Sequence, residues 1–338
     1  MPSLESTPAP RLPHDPLWPR TGGWPAPEVD APADFVLVGV PTHATSISAT
    51  NAHETPAAVR AVLPRYAGHA LAADGSSIDI DAELRIADAG DLDSPDFDPE
   101  LDDVVPAVPG AGSDAASGTD AATTGERAAA ARIRELADVH GVLFALGGDN
   151  AATVPAALGA WGEDIATAGL ITLDAHHDIR EGVSNGSPVR RLIEAGLDGR
   201  RVVQIGIADF ANSLEYTRRA AELGITVIPR SAFDERPLAD IVAQALEIAG
   251  AAGGPVHVDL DVDVCDRAAV PACPASVPGG ISANELRRVT RALARDARVT
   301  SFDTAEVDAT NDAPDGRTVR LVAQLVLEAA AGVAERLI

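Results

Sequence analysis

Eight short, continuously apolar and β-branched runs recur along the chain, at residues 35–40, 84–87, 142–146, 169–173, 202–207, 226–228, 256–260 and 299–304. Between most of them lie amphipathic stretches of helical period, at 56–66, 127–140, 152–161, 188–195, 214–223, 238–249, 283–293 and 318–337. Strands this short, apolar at nearly every position, must be buried on both faces. Alternation with helices is how a parallel sheet achieves that, because each crossover lays a helix over one face. The pattern therefore predicts an α/β fold with a mostly parallel eight-stranded sheet. No repeat or internal linker divides it, so residues 34–338 are expected to form one domain. An irregular, Pro-rich arm precedes it at 1–33, with Trp18 and Trp24 expected to pin it to the body. An acidic and then Gly/Ala/Ser-rich insertion interrupts the domain around 91–124.

Charge narrows the range of partners. Fifty-one Asp and Glu face 26 basic residues, every one of them Arg, for a formal charge of -25. So acidic a surface repels phosphate backbones and anionic headgroups, which argues against nucleic acid and membrane as partners. It also fits a protein adapted to high salt, where self-repulsion is screened. Neither an apolar signal core near the start nor an apolar run of membrane-spanning length is present, so a cytoplasmic location is expected. Cys265 and Cys273 are too few for a disulfide scaffold and are read as packing residues.

In open parallel sheets ligands bind beyond the carboxyl ends of the strands, and here the chemically loaded residues follow the strands. Gly147-Gly148-Asp149-Asn150 follows one run, and Asp174-Ala175-His176-His177-Asp178 follows another. Asp259, Asp261 and Asp263 close a third, with Asp266 just beyond, while Glu306 and Asp308 follow the last. At spacing two, Asp174, His176 and Asp178 share a side of an extended segment, as do Asp259, Asp261 and Asp263. Carboxylates so crowded at a buried strand end need a cation, and a set of oxygens with one imidazole suits Mn²⁺. Roughly six ligands suit two ions, which together lower the pKa of a shared water.

DAHHD, DLDVDVCD and TAEVD resemble the three signature regions of the ureohydrolase family, which includes arginase, agmatinase and formimidoylglutamase; the preceding GGDN resembles that family's GGDH. The resemblance implies the three-layer α/β/α sandwich of the arginase/deacetylase fold and a binuclear manganese centre, with two Mn²⁺ per subunit. It implies that Asp174 and Asp261 bridge the ions, that Asp178 completes one site, and that His176 and Asp263 complete the other. Asn150 stands where the family has a ligand His, so that ion is expected to be held more weakly through the amide oxygen, or with help from His177. By the same resemblance Glu306 holds the cationic end of the substrate and the protein assembles as a trimer or hexamer.

The strings HHDIR, SNGSPVR and QIGIADFANS resemble the formimidoylglutamase branch. Arg180 and Arg190, with Asn185, are then expected to receive the two carboxylates of N-formimidoyl-L-glutamate. Hydrolysis to L-glutamate and formamide, a step of histidine degradation, would follow, with Asp178 relaying the proton. Two other readings compete: an agmatinase or other guanidine hydrolase that releases urea, and a non-catalytic metal-binding subunit suggested by Asn150. High-salt adaptation is tested by melting. The melting temperature should climb as KCl rises towards the molar range, and a value indifferent to salt would contradict it.

Overall fold

Along the first strand Phe35 and Leu37 enter one apolar core, while Val36, Val38 and Val40 enter another. Side chains alternate across a strand, so a run apolar at every position demands cover on both faces. The computed structural model describes residues 14–72, 74–99 and 125–337 and shows that cover. Ten strands form among these residues: β1 (Phe35–Val40), β2 (His69–Leu71), β3 (Ser77–Asp79), β4 (Ile86–Asp91), β5 (Val142–Gly147), β6 (Gly169–Leu173), β7 (Val202–Ile207), β8 (Thr226–Pro229), β9 (Val256–Asp261) and β10 (Val299–Ala305). Eight make one sheet in the order β4-β1-β5-β10-β9-β6-β7-β8. Every neighbouring pair in it is parallel.

Helices Thr55–Val62, Leu238–Ala249, Ala283–Ala294 and Arg317–Leu337 send Val59, Ile241, Leu286 and Val322 into the core that holds Phe35 and Phe144. Helices Glu126–Ala137, Thr153–Trp161, Pro188–Glu194 and Leu214–Glu222 cover the opposite face with Ile133, Val154, Val189 and Ala220. The result is a three-layer α/β/α sandwich. No helix among the described residues is long and apolar enough to cross a membrane.

Three local differences from the sequence pattern have physical causes. The strand expected at 84–87 begins at Ile86, because Leu84 closes the short helix Ile80–Glu83 with its N–H on the Ile80 carbonyl. The helix expected at 56–66 ends at Val62 and gives way to one 3-10 turn, Leu63–Arg65, where Pro64 lacks an N–H to donate. The antiparallel pair β2–β3 has strands of three residues, too short to carry a period. In the arm, Asp81 Oδ1 accepts from Thr21 Oγ1 at 3.2 Å and Trp24 Nε1 at 2.9 Å, whereas Trp18 is 51% exposed. Trp24 is thus the anchor and Trp18 is not. Residues 1–13 of the arm and 100–124 of the insertion lie outside the described residues.

The strand order also sets where a site can form. From β5 the chain passes to β6, three places along, and only later fills the gap with β9 and β10. The four strands β5, β10, β9 and β6 therefore stand side by side at the centre. Their carboxyl ends carry the segments singled out above.

Candidate active site

Asp174, His176 and Asp178 follow β6, Asp261 ends β9, and Asp263 lies in the 3-10 turn Val262–Val264 directly after it. Their ligand atoms form two groups, Asp174–His176–Asp263 and Asp174–Asp178–Asp261, within each of which the atoms lie within 4.8 Å of one another. Asp174 belongs to both, the place of a bridging ligand. Asp261, also expected to bridge, joins only the group of Asp178. Backbone donors orient the set. Ala175 N–H donates to Asp263 Oδ1 at 2.9 Å, Asp263 N–H to Asp261 Oδ1 at 2.8 Å, and His176 N–H to Asp174 Oδ1 at 2.5 Å. His176 Nδ1 lies 2.7 Å from Asp263 Oδ2.

Packing these carboxylates together out of water is unfavourable without counter-charge. Burial, then repulsion among neighbours, pushes Asp174 and Asp261 well above the usual carboxylate range. Asp178 is pushed up to about 7 by burial and by the charges of Asp263 and Glu306, against the attraction of His176. Burial lowers His176, but its bond to Asp263 and the surrounding carboxylates win and raise it to about 9. Burial likewise opposes the ionised form of Asp263, yet His176 holds it below the usual range. The buried Asp174 Oδ2 finds no hydrogen-bond partner among the described residues. Four carboxylates, one imidazole and an orphaned oxygen are a donor set that fits divalent cations.

Asn150 departs from its expected role as a ligand. Its Nδ2 donates to Asp178 Oδ2, while its Oδ1 accepts from Thr153 Oγ1 at 2.7 Å. The amide nitrogen, and not the oxygen expected to bind a cation, is turned towards Asp178, so Asn150 holds that carboxylate in place. Its backbone N–H donates to Glu306 Oε1 at 2.9 Å, and Asn185 Nδ2 donates to the same oxygen at 2.7 Å. Asn185 Oδ1 in turn accepts from Ile47 N–H at 2.9 Å, tying the loop after β1 to the site. Asp178 and Glu306 sit at φ +52° and +62°, in the left-handed region that non-glycine residues seldom adopt. Strain of this kind persists only where the surroundings over-determine it, and it concentrates at functional sites.

A cavity of about 140 Å³ opens on this cluster, lined among others by Ile47, His176, Arg180, Asn185, Asp261 and Glu306. A second, of about 130 Å³, also touches His176, Asp178 and Arg180 and extends towards Ser213 and Tyr216. Two larger clefts, of about 670 and 840 Å³, lie beside Trp18 and at the amino-terminal edge of the sheet. Neither of these contains any of the clustered ligands, so the chemistry points to the smaller pair. The Arg180 guanidinium makes no ion pair or hydrogen bond among the described residues. Arg190, expected beside it, lines neither cavity. Its Nε donates to the Arg180 carbonyl at 2.6 Å, its Nη2 to the Gly182 carbonyl, and its Nη1 to Glu194 at 2.5 Å. With every arm of its fork engaged by its own loop and helix, Arg190 braces residues 180–182.

Several neighbours are structural. Asp266 bridges the ends of the following turn, accepting from Ala268 N–H at 2.8 Å and Gly279 N–H at 2.7 Å. Asp149 caps the next turn through Ala151 N–H, and burial with the nearby Glu306 charge pushes it to about 7. His43 and His53 line neither cavity; their rings stand 4.3 Å apart and His43 Nδ1 lies 3.2 Å from Asp96. Asp259 points to the same side as Asp261 but one level deeper, beside Thr172 and Asp303 in register, and neither of its oxygens accepts a hydrogen bond among the described residues. His177 faces away from the cluster, towards β7. Sequence reasoning missed Ile47 and Ser48, which wall the cavity; their signal was their position just past the end of β1. Gln204 and Asn212 lie within the string QIGIADFANS, but nothing in that string assigned either of them a role.

Residues 33–332 match the Arginase family model. A formimidoylglutamase of Halalkalibacterium halodurans is 31% identical over 304 residues, covering 87% of this chain and 85% of that protein. Among solved structures, formimidoylglutamase from Bacillus subtilis superposes with a TM-score of 0.79 at 26% identity, covering 96% of this chain and 95% of that one. A Trypanosoma cruzi formiminoglutamase crystallised with Mn²⁺ shares the fold, with a TM-score of 0.71 at 20% identity over 90% of this chain and 94% of that one. The family match covers nearly all of the sandwich, including every segment that converges on the acidic cluster, and the chain belongs to the Arginase family.

Proposed function

We infer that this protein hydrolyses N-formimidoyl-L-glutamate to L-glutamate and formamide. The observation that carries the reading is the guanidinium of Arg180, without a partner among the described residues, which shares one cavity with the metal-ligand cluster and Glu306. A substrate with an amidine at one end and carboxylates at the other matches that polarity. The formimidoylglutamases among its relatives point the same way. Two manganese ions belong to this proposal, held by Asp174, His176, Asp178, Asp261 and Asp263, as does assembly of several copies in the cytoplasm. When bound, the ions supply Lewis acidity and a water acidic enough to attack at neutral pH.

The chain's own residues do the rest. Glu306, fixed by the Asn150 N–H and the Asn185 amide, presents negative charge to the amidinium. Arg180 receives a carboxylate and so sets the distance from the recognised end to the scissile carbon. Water adds to the formimidoyl carbon and the bond to the glutamate nitrogen breaks. Asp178, held by Asn150, carries the proton from the water to that leaving nitrogen.

Product analysis tests the reading. Protein supplied with Mn²⁺ should yield glutamate and formamide from N-formimidoyl-L-glutamate and no urea from agmatine or arginine. Urea from either would overturn the substrate while leaving the fold intact. Arg180→Ala should raise KM about ten-fold or more with a smaller change in kcat, and an unchanged KM would remove Arg180 from the substrate.

Removing metal should expose the repulsion. Asp178, Asp174 and Asp261 have raised pKa values in the folded, metal-free protein, so that state holds protons which the unfolded chain releases. Their contribution to stability is therefore fully present at low pH and is lost as pH rises from about 4 towards 7. The melting-temperature gap between manganese-loaded and stripped protein should widen across that window. A gap constant with pH would contradict the assignment.

A further inference from the structure

We propose that Gln204 and Asn212 are positioning residues for the metal-binding segment, two side-chain amides that fix the backbone on either side of His176. The proposal rests on reading the cluster as a divalent metal centre.

Residues 174–178 lie beyond the end of β6, where no strand partner pairs every peptide group in turn. Buried peptide groups need partners, and two amides supply them. Asn212 Nδ2 donates to the Ala175 carbonyl at 2.8 Å, and Asn212 Oδ1 accepts from His177 N–H at 3.0 Å. The Ala175 carbonyl takes a second bond from Ala208 N–H at 3.1 Å. Gln204 Nε2 donates to the His177 carbonyl at 2.8 Å, and its Oε1 lies 2.7 Å from His177 Nδ1. A carbonyl can only accept, so the Gln204 nitrogen must face it and the Gln204 oxygen must face the ring. That fixes the proton of His177 on Nδ1. The other ring nitrogen, Nε2, lies 3.4 Å from Thr217 Oγ1 and outside both ligand groups, so the second histidine of the segment acts as a tether.

The consequence falls on Asp178. Its φ of +52° is the rotation of its side chain and carbonyl against the peptide plane that carries the His177 carbonyl. Gln204 holds that plane from β7, where it is fully buried beside Thr172 in register. Arg190 N–H, donating to the Asp178 carbonyl at 3.3 Å, holds the other side. With both ends fixed, the strained conformation persists and Asp174, His176 and Asp178 converge. Without the amides the segment can relax, and the ligands lose their preorganisation.

The test compares manganese binding by metal-stripped wild type, Asn212→Ala and Gln204→Leu, with the melting temperature of each stripped protein measured alongside. Asn212→Ala should weaken Mn²⁺ binding at least about ten-fold, while the stripped protein melts within a few degrees of wild type. Activity lost at limiting Mn²⁺ should return with excess Mn²⁺, at unchanged KM for the substrate. Wild-type Mn²⁺ dissociation constants in Asn212→Ala would overturn the proposal, with or without a lower melting temperature. Asn212 is only partly buried, so it decides the matter if Gln204→Leu does not fold. Failure of wild type itself to bind Mn²⁺ would instead overturn the metal-centre reading.

Discussion

Repulsion among buried carboxylates is the constraint around which this molecule is arranged. Asp174, Asp178, Asp261 and Asp263 converge from two strand ends, nearly inaccessible to water, with one imidazole among them. Left alone, Asp174, Asp178 and Asp261 hold protons above the usual carboxylate range while His176 keeps Asp263 below it; a cation lets the first three ionise. Almost every neighbouring feature controls that charge. Backbone N–H groups aim the carboxylates, Asn150 holds Asp178 through its amide nitrogen, and Asn150 and Asn185 together hold Glu306.

The sandwich makes such a cluster affordable. β5, β10, β9 and β6 are neighbours only because the chain returns to fill the gap between β5 and β6, so segments far apart in sequence meet at one edge. Buried apolar side chains on both faces keep those strands in register, and the strain at Asp178 and Glu306 is held by that rigid frame. Polar groups continue below the cluster. His257 Nε2 meets Asp303 at 3.1 Å and His257 Nδ1 meets Ser301 at 2.7 Å, both fully enclosed. Polarity thus reaches one level down into the sheet, at positions where packing alone would favour valine.

Much of this could be read from the residues, because two periods carry it. Continuous apolar runs separated by helical stretches identified the eight strands, and spacing of two singled out Asp174, His176, Asp178, Asp261 and Asp263, whose ligand atoms lie together, along with Asp259, which does not join them. What escaped depended on contacts without a period. The direction of the Asn150 amide is set by Thr153 on one side and by Asp178, from a different strand, on the other. Arg190 looked like a receptor for substrate, yet the carbonyls of its own loop and Glu194, one helical turn on, occupy it. Gln204 reads as one polar residue in an apolar strand, and only the parity of His177 hints at what it faces.

Anomalous diffraction at the manganese edge, from crystals grown with Mn²⁺, tests the central claim most directly. Two anomalous peaks are predicted, one in the Asp174–His176–Asp263 group and one in the Asp174–Asp178–Asp261 group, with the Asn150 oxygen still turned towards Thr153. A cluster without an anomalous peak, its carboxylates paired through shared protons, would contradict the account.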